Sequence, residues 1–181
     1  MTRRPAPSDS RAPASLDSHL LLNCLSRIAA QVYAVTQRES EEVYSLSDYL
    51  ALGLRLIGQA QVRQADEAEL LQHYVGLLKA CKYTGLQADI EARDADATMA
   101  PHRSCDALTL LLHSNRTDAR ESVHLHAVFE KRQVRLQLAP VELRGVPGDI
   151  LPGLQSALQG KCPGWTVTYS ADKALVAEWA P

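Results

Sequence analysis

Residues 121–143 read ESVHLHAVFEKRQVRLQLAPVEL. Apolar and polar residues alternate on both sides of a charged turn near residues 130–132, and this pattern predicts two strands joined as a hairpin. His124 and His126 stand two apart, so both imidazoles fall on one face of the first strand. A metal site would need a third ligand, and none suggests itself, so we expect a solvated strand face here.

The flanks of this hairpin alternate between strand and helix patterns. Upstream, residues 86–93 alternate like a strand and residues 104–115 follow a helical period. Downstream, residues 147–160 read as a short helix, and residues 165–170 and 174–179 read as a closing hairpin. The order strand, helix, hairpin, helix, hairpin predicts an α+β sandwich in which helices cover one face of a mixed sheet.

Helical periodicity dominates the first half of the chain. Residues 15–37 form the first predicted helix, and a second follows to about residue 62. A third stretch, residues 65–83, either continues the second helix or begins a new one after a short break. Two long amphipathic helices cannot cover both of their apolar faces alone. The predicted arrangement is therefore a helical hairpin that pairs with its twin as a dimeric four-helix bundle.

These patterns divide the chain into three predicted parts. Residues 1–14 are rich in Pro, Ser and Ala and have nothing to bury, which predicts a disordered tail. Residues 15–84 form the helical dimerisation domain, and residues 85–181 form the small α/β sandwich.

Composition excludes several classes of partner. The 181 residues carry a formal net charge of −2 without a basic cluster, which argues against a nucleic-acid partner and a polybasic membrane patch. No apolar run approaches the ~20 residues that a membrane span needs, and the N-terminus lacks the apolar core of a secretory signal. We therefore expect a cytoplasmic protein.

The segment DSHLLLNCLSRI, residues 17–28, holds His19 and Asn23 four positions apart. On a helix this spacing places both side chains on one face, one turn apart. The segment resembles the phosphoacceptor box Pro-His-Phe-Leu-Phe-Asn of one branch of bacterial sensor histidine kinases, with serine for the proline and leucines for the phenylalanines. The resemblance implies that His19 accepts a phosphoryl group and that Asn23 orients either this group or the water that attacks it.

Two further segments are similar to the same family. Residues 46–56, LSDYLALGLRL, look like its second helix, and residues 66–83 look like the Glu-rich turn and Tyr-Leu segment that follow. By the same resemblance, residues 15–84 are a histidine phosphotransfer domain, and residues 85–181 look like a shortened version of the family's ATP-binding domain.

The second half lacks the motifs of that ATP-binding domain. The family's helix carries a Glu-Asn-Ala-x-x-His-Gly box whose asparagine holds magnesium. If His113 is aligned with the box histidine, Leu108 and Thr109 take the glutamate and asparagine positions. The glycine-flanked motif Asp-x-Gly-x-Gly occurs nowhere in the chain. We therefore expect a degenerate ATPase-like domain without nucleotide, metal or other cofactor.

A phosphoacceptor-like histidine segment, combined with a domain that lacks the ATP-binding motifs, fits a phosphorelay histidine phosphotransferase. Its partner would be the receiver domain of a response regulator, since an aspartyl phosphate already carries the driving force for transfer. The alternative is a non-catalytic pseudokinase that binds or sequesters a response regulator or pairs with a sensor histidine kinase. An active kinase would need an ATP site that the sequence does not contain, and a dimeric α+β protein of unrelated purpose is the remaining possibility.

Overall fold

The computed structural model describes residues 18–37, 40–93, 96–115, 121–131 and 133–180, and the side chains of the first helix from residue 25 onward. The predicted tail, residues 1–14, lies outside the described residues. Within them the helices are α1 (Ser18–Thr36), α2 (Glu41–Leu56), α3 (Gln64–Cys81), α4 (Arg103–Ser114) and α5 (Pro147–Lys161). The strands are β1 (Val62–Arg63), β2 (Leu86–Ala92), β3 (Thr98–Met99), β4 (Val123–Glu130), β5 (Gln133–Ala139), β6 (Trp165–Tyr169) and β7 (Leu175–Trp179).

The mixed α and β architecture predicted for the second half of the chain is confirmed. The hairpin of residues 121–143 is β4 and β5, and the closing hairpin is β6 and β7. Helices α4 and α5 and strand β2 each lie within one residue of their predicted bounds. The dimeric four-helix bundle stays a prediction.

The second helix is shorter than predicted. It ends at Leu56 because Ile57 turns to φ −59° and ψ 134°, and Gly58 follows at φ +84°, a conformation that glycine adopts at no steric cost. The third stretch is therefore a separate helix, α3. Strands β1 and β3 pair with each other and were missed, because two-residue strands are too short to show a period.

The main sheet has five strands in the order β2-β4-β5-β7-β6. Strands β2 and β4 run parallel, with α4 as their crossover, and the other neighbours run antiparallel. Along β4, buried residues alternate with half-buried ones, and Val123, Leu125, Ala127 and Phe129 form the buried set. Helices α3, α4 and α5 pack on this sheet.

Helix α3 shares its core with the sheet. Leu70 and Leu71 are completely buried, Val75 nearly so, and all three belong to the same apolar cluster as the inward residues of β4 and β5. The same helix also packs against α2. The hydrophobic core therefore runs across the predicted boundary at residue 84.

Helix α1 packs against α2 and leaves apolar surface open. Among its described side chains only Ala29 is buried. Ile28, Tyr33 and Val35 are 46%, 48% and 86% exposed. Apolar surface of this kind is what the predicted pairing with a second copy would cover.

Candidate functional site

The predicted phosphoacceptor segment lies on a helix. His19 and Asn23 both belong to α1, so their spacing of four places them on one face, one turn apart. Their side chains lie outside the described residues, and their roles stay predictions.

A groove of about 430 Å³ runs between α1 and α2. Small and aromatic residues line it: Ser26, Ala29, Ala30, Tyr33, Tyr44 and Ser47. The groove offers packing surface and the hydroxyl groups of serine and tyrosine, without a carboxylate or a cation among these lining residues.

A buried carboxylate lies where α3 meets the start of α4. Glu67 has no exposed surface and accepts hydrogen bonds from the backbone N–H of His102 at 2.8 Å and of Ser104 at 2.9 Å. The Ser104 hydroxyl donates a third, at 2.6 Å. Helix α4 has no side-chain cap of its own, so Glu67 satisfies amides that a helix leaves without partners at its N-terminus.

Two opposing effects act on the pKa of Glu67. Burial raises the pKa and is the largest cause, while the hydrogen bonds from Ser104 and His102 lower it. The net direction is upward. Because the amides of His102 and Ser104 are bonded to this internal carboxylate, these two are not available to an external anion such as a phosphate.

His102 connects this cluster to α2. It precedes α4 with φ 63°, a left-handed conformation that is uncommon outside glycine. A methyl group at residue 53 would lie 3.4 Å from His102 Cε1, so Gly53 allows α2 to pack closely against the ring. Within the described part of the chain, the buried Nε2 atom of His102 has no hydrogen-bond partner.

Leu108 and Thr109, which align with the glutamate and the magnesium-binding asparagine of the family's ATP site, make contacts inside the protein. Leu108 is completely buried in the core. The Thr109 hydroxyl donates to the Cys105 carbonyl at 2.8 Å and lies 2.7 Å from the Tyr74 hydroxyl. The Tyr74 ring packs at 5.3 Å between centroids against Tyr49 on α2, and burial raises the pKa of both tyrosines.

A second groove, of about 240 Å³, lies between α2 and α3. It is lined by Asp48, Ala51, Leu52, Arg55, Glu69 and His73. His73 Nε2 lies 3.9 Å from Glu69 Oε1, one helical turn earlier. Our sequence analysis missed this pair, although a glutamate four residues before a histidine on a helix is a readable signal.

The outer face of the sheet carries polar side chains. Here His124 and His126 share one face of β4, as predicted, and both are half-buried. A hollow of about 360 Å³ is lined by Arg93, His126, Val128, Glu130, Gln133, Arg135 and Gln137. Its arginines are held in ion pairs, Arg93 with Glu130 at 2.7 Å and Arg135 with Glu178 at 3.5 Å.

The described residues show neither a metal-binding cluster nor a membrane-spanning helix. No group of three or more histidine, cysteine, aspartate or glutamate side chains among them has a metal-binding arrangement. Likewise, none of the helices in the described ranges is both long and apolar enough to span a bilayer.

No family model matches this chain, and no curated protein matches it.

The solved structures similar to the chain include histidine kinases. The cytoplasmic segment of histidine kinase QseC matches with a TM-score of 0.45 and 10% identity, over 97% of this chain and 100% of that one. A histidine kinase from Burkholderia phymatum STM815 matches with a TM-score of 0.40 and 13% identity, over 90% and 93%. The Acinetobacter baumannii histidine kinase AdeS matches with a TM-score of 0.38 and 8% identity, over 90% of this chain and 93% of that one. Likeness at this level does not assign the chain to a family or an activity.

Proposed function

We propose that this chain is a dimeric histidine phosphotransferase of a phosphorelay, with His19 as the phosphoacceptor. The observation that supports the proposal most directly is the continuous helix α1, which holds the segment with His19 and Asn23 at one-turn spacing. The exposed apolar side chains further along α1 support dimerisation of the same helix.

The proposed reaction needs little from the protein beyond positioning. The neutral imidazole of His19 attacks the phosphorus of an aspartyl phosphate on a receiver domain, and a P–N bond forms as the acyl P–O bond breaks. The aspartate leaves as a carboxylate, so the transfer needs no nucleotide. Asn23, one turn along the same face, orients the phosphoryl group. Transfer in the reverse direction uses the same contacts.

The second half of the chain favours transfer over autophosphorylation. Leu108 lies in the core, and the Thr109 hydroxyl is bonded to neighbouring groups, so neither position presents a magnesium ligand. The amides of His102 and Ser104 at the start of α4 are bonded to Glu67. These features support a domain that does not bind Mg-ATP.

The second candidate is a pseudokinase that binds a response regulator or a histidine kinase without chemistry. The groove between α1 and α2 favours it, because small and aromatic residues line a packing surface there. In that case His19 would not be phosphorylated.

The test is incubation of the protein with phosphorylated response regulators from the same genome. We expect an acid-labile, base-stable label on the wild type and no label on His19→Gln. His113→Gln is the matched control, since His113 is an exposed histidine on another helix. Asn23→Ala should slow transfer or change the lifetime of the phosphohistidine without abolishing it.

Each outcome separates the candidates. Label that persists in His19→Gln would remove His19 from the mechanism. Tight binding of a regulator without label would favour the pseudokinase. Calorimetry with Mg-ATP completes the test, because micromolar affinity would contradict the degenerate ATP site.

A further inference from the structure

The groove between α2 and α3 combines three features around one histidine. His73 is one-third exposed, with Nε2 facing the Glu69 carboxylate at 3.9 Å. Arg55 lines the same groove, with Nη2 4.0 Å from Asp66. Asp66 has a closer partner in Arg63, at 3.0 Å, so Arg55 is held weakly. The groove volume of about 240 Å³ exceeds several-fold the ~30 Å³ share of one water molecule.

Two other histidines of this chain each lack one of these features. His124 Nε2 lies 3.2 Å from Asp89, but His124 is not among the residues that line the hollow on the sheet. His126 lines that hollow beside Arg135, but among the described residues no carboxylate lies within ion-pair distance of it. His73 has a carboxylate, an arginine and a cavity together.

These features suit the acceptance of a phosphoryl group. Because the Glu69 carboxylate lies 3.9 Å from Nε2, an anionic phosphoryl donor is repelled on that side of the ring and is expected to approach Nδ1. Positive charge develops on the ring as the bond to phosphorus forms, and the Glu69 carboxylate stabilises it. Arg55 can turn from Asp66 toward the phosphoryl oxygens, which it binds well as a planar donor of several hydrogen bonds.

We propose that His73 is a second phosphoryl acceptor, separate from His19, that is modified at Nδ1 by small donors such as phosphoramidates and acyl phosphates. The bond from phosphorus to the leaving group breaks with its electron pair on the leaving group, and the imidazole lone pair forms the P–N bond. Ammonia leaves from phosphoramidate, and a carboxylate leaves from an acyl phosphate. A small donor enters the groove without a docked receiver domain, so the site does not rest on the proposed function.

The test treats the full chain with phosphoramidate at about pH 8, where histidine is mostly neutral, and follows each histidine by quantitative mass spectrometry. His73 should be modified faster than His124 and His126. Glu69 Oε1 lies 3.9 Å from Nε2, and removing one charge at that distance in water should change the rate by about fivefold. Glu69→Gln and Arg55→Gln should therefore lower the His73 rate, and Asp48→Asn should raise it by removing repulsion of the phosphoryl group.

The design keeps the result independent of folding and of His19. Glu69 and Arg55 are 58% and 62% exposed, so their variants should fold, and circular dichroism checks that they do. His19→Gln should leave the His73 rate unchanged whether or not His19 takes a phosphoryl group from a receiver. Equal rates at His73, His124 and His126, or a phosphoryl group mapped to Nε2, would overturn the proposal. Rates in Glu69→Gln and Arg55→Gln that equal the wild-type rate would overturn it as well.

Discussion

Replacing Glu67 with alanine should destabilise the protein more than any exposed charge change on the same helix. The substitution removes the carboxylate that accepts bonds from the amides of His102 and Ser104 and from the Ser104 hydroxyl. Ser104 has no exposed surface, so water cannot readily replace the lost acceptor. Its donors are left buried and unpaired.

The magnitude follows from these bonds. Loss of a helix N-cap costs about 1 kcal/mol, and each buried donor left without a partner costs about 1–3 kcal/mol. Burial of the carboxylate itself is unfavourable, as its raised pKa shows, and its removal offsets part of the loss. We expect a net decrease of about 3 kcal/mol in the free energy of unfolding, or roughly 10 °C in Tm for a chain of this size.

Urea unfolding followed by circular dichroism measures the change, with Glu69→Ala as the matched control. Glu69 lies two residues further along α3 and is 58% exposed, and its ion pair among the described residues is with His73, at 3.9 Å. Its variant should stay within about 0.5 kcal/mol of the wild type. Equal stability of the Glu67 and Glu69 variants would refute the reasoning, because it would mean that α4 needs no cap from α3.

Three further predictions concern the same elements. Burial raises the pKa of Glu67 above 4.5 in the folded state. A carboxyl with a raised folded-state pKa contributes to the free energy of unfolding at low pH, where it is protonated, and this contribution is lost as pH rises above about 4.5. Wild type should therefore lose stability relative to Glu67→Gln across that range in pH-dependent urea melts. Tyr74→Phe removes the bond to Thr109 and should cost about 1 kcal/mol in the same melts; no change would mean that the bond adds nothing to stability. Val35→Glu places a charge on the side of α1 that also carries exposed Ile28, and it should weaken the proposed dimer in light scattering; an unchanged dimer would mean that this side of α1 is not the dimer interface.

Periodicity explains why the secondary structure of this chain could be predicted so closely. Each strand of the central hairpin buries every second residue, so β4 shows a pattern that propensity and spacing alone can read. The end of α2 was harder, because Gly58 interrupts an apolar stripe that continues to look helical. The positive φ of Gly58 sets the end of α2, and the pattern of apolar residues does not reveal it.

The candidate sites depend on contacts that no local pattern reveals. Glu67 reads in the sequence as an ordinary acid in the first turn of a helix, and its partners His102 and Ser104 lie 35 and 37 residues away. The Glu69 and His73 pair was readable from its spacing, but Arg55 reaches the same groove only because α2 packs on α3. For His19 and Asn23 the resemblance remains the basis of their assignment.

The position of α3 between α2 and the sheet determines how the chain can be cut. A fragment that ends at residue 84 would carry Leu70, Leu71 and Val75 without the strands that bury them, and a fragment that begins at residue 85 would expose the opposite side of the same interface. Burial of three such side chains is worth about 5 kcal/mol or more, comparable to the whole stability of a small domain. Residues 64–180 should therefore unfold as one cooperative unit, and any recombinant half intended to carry the sheet has to begin before α3.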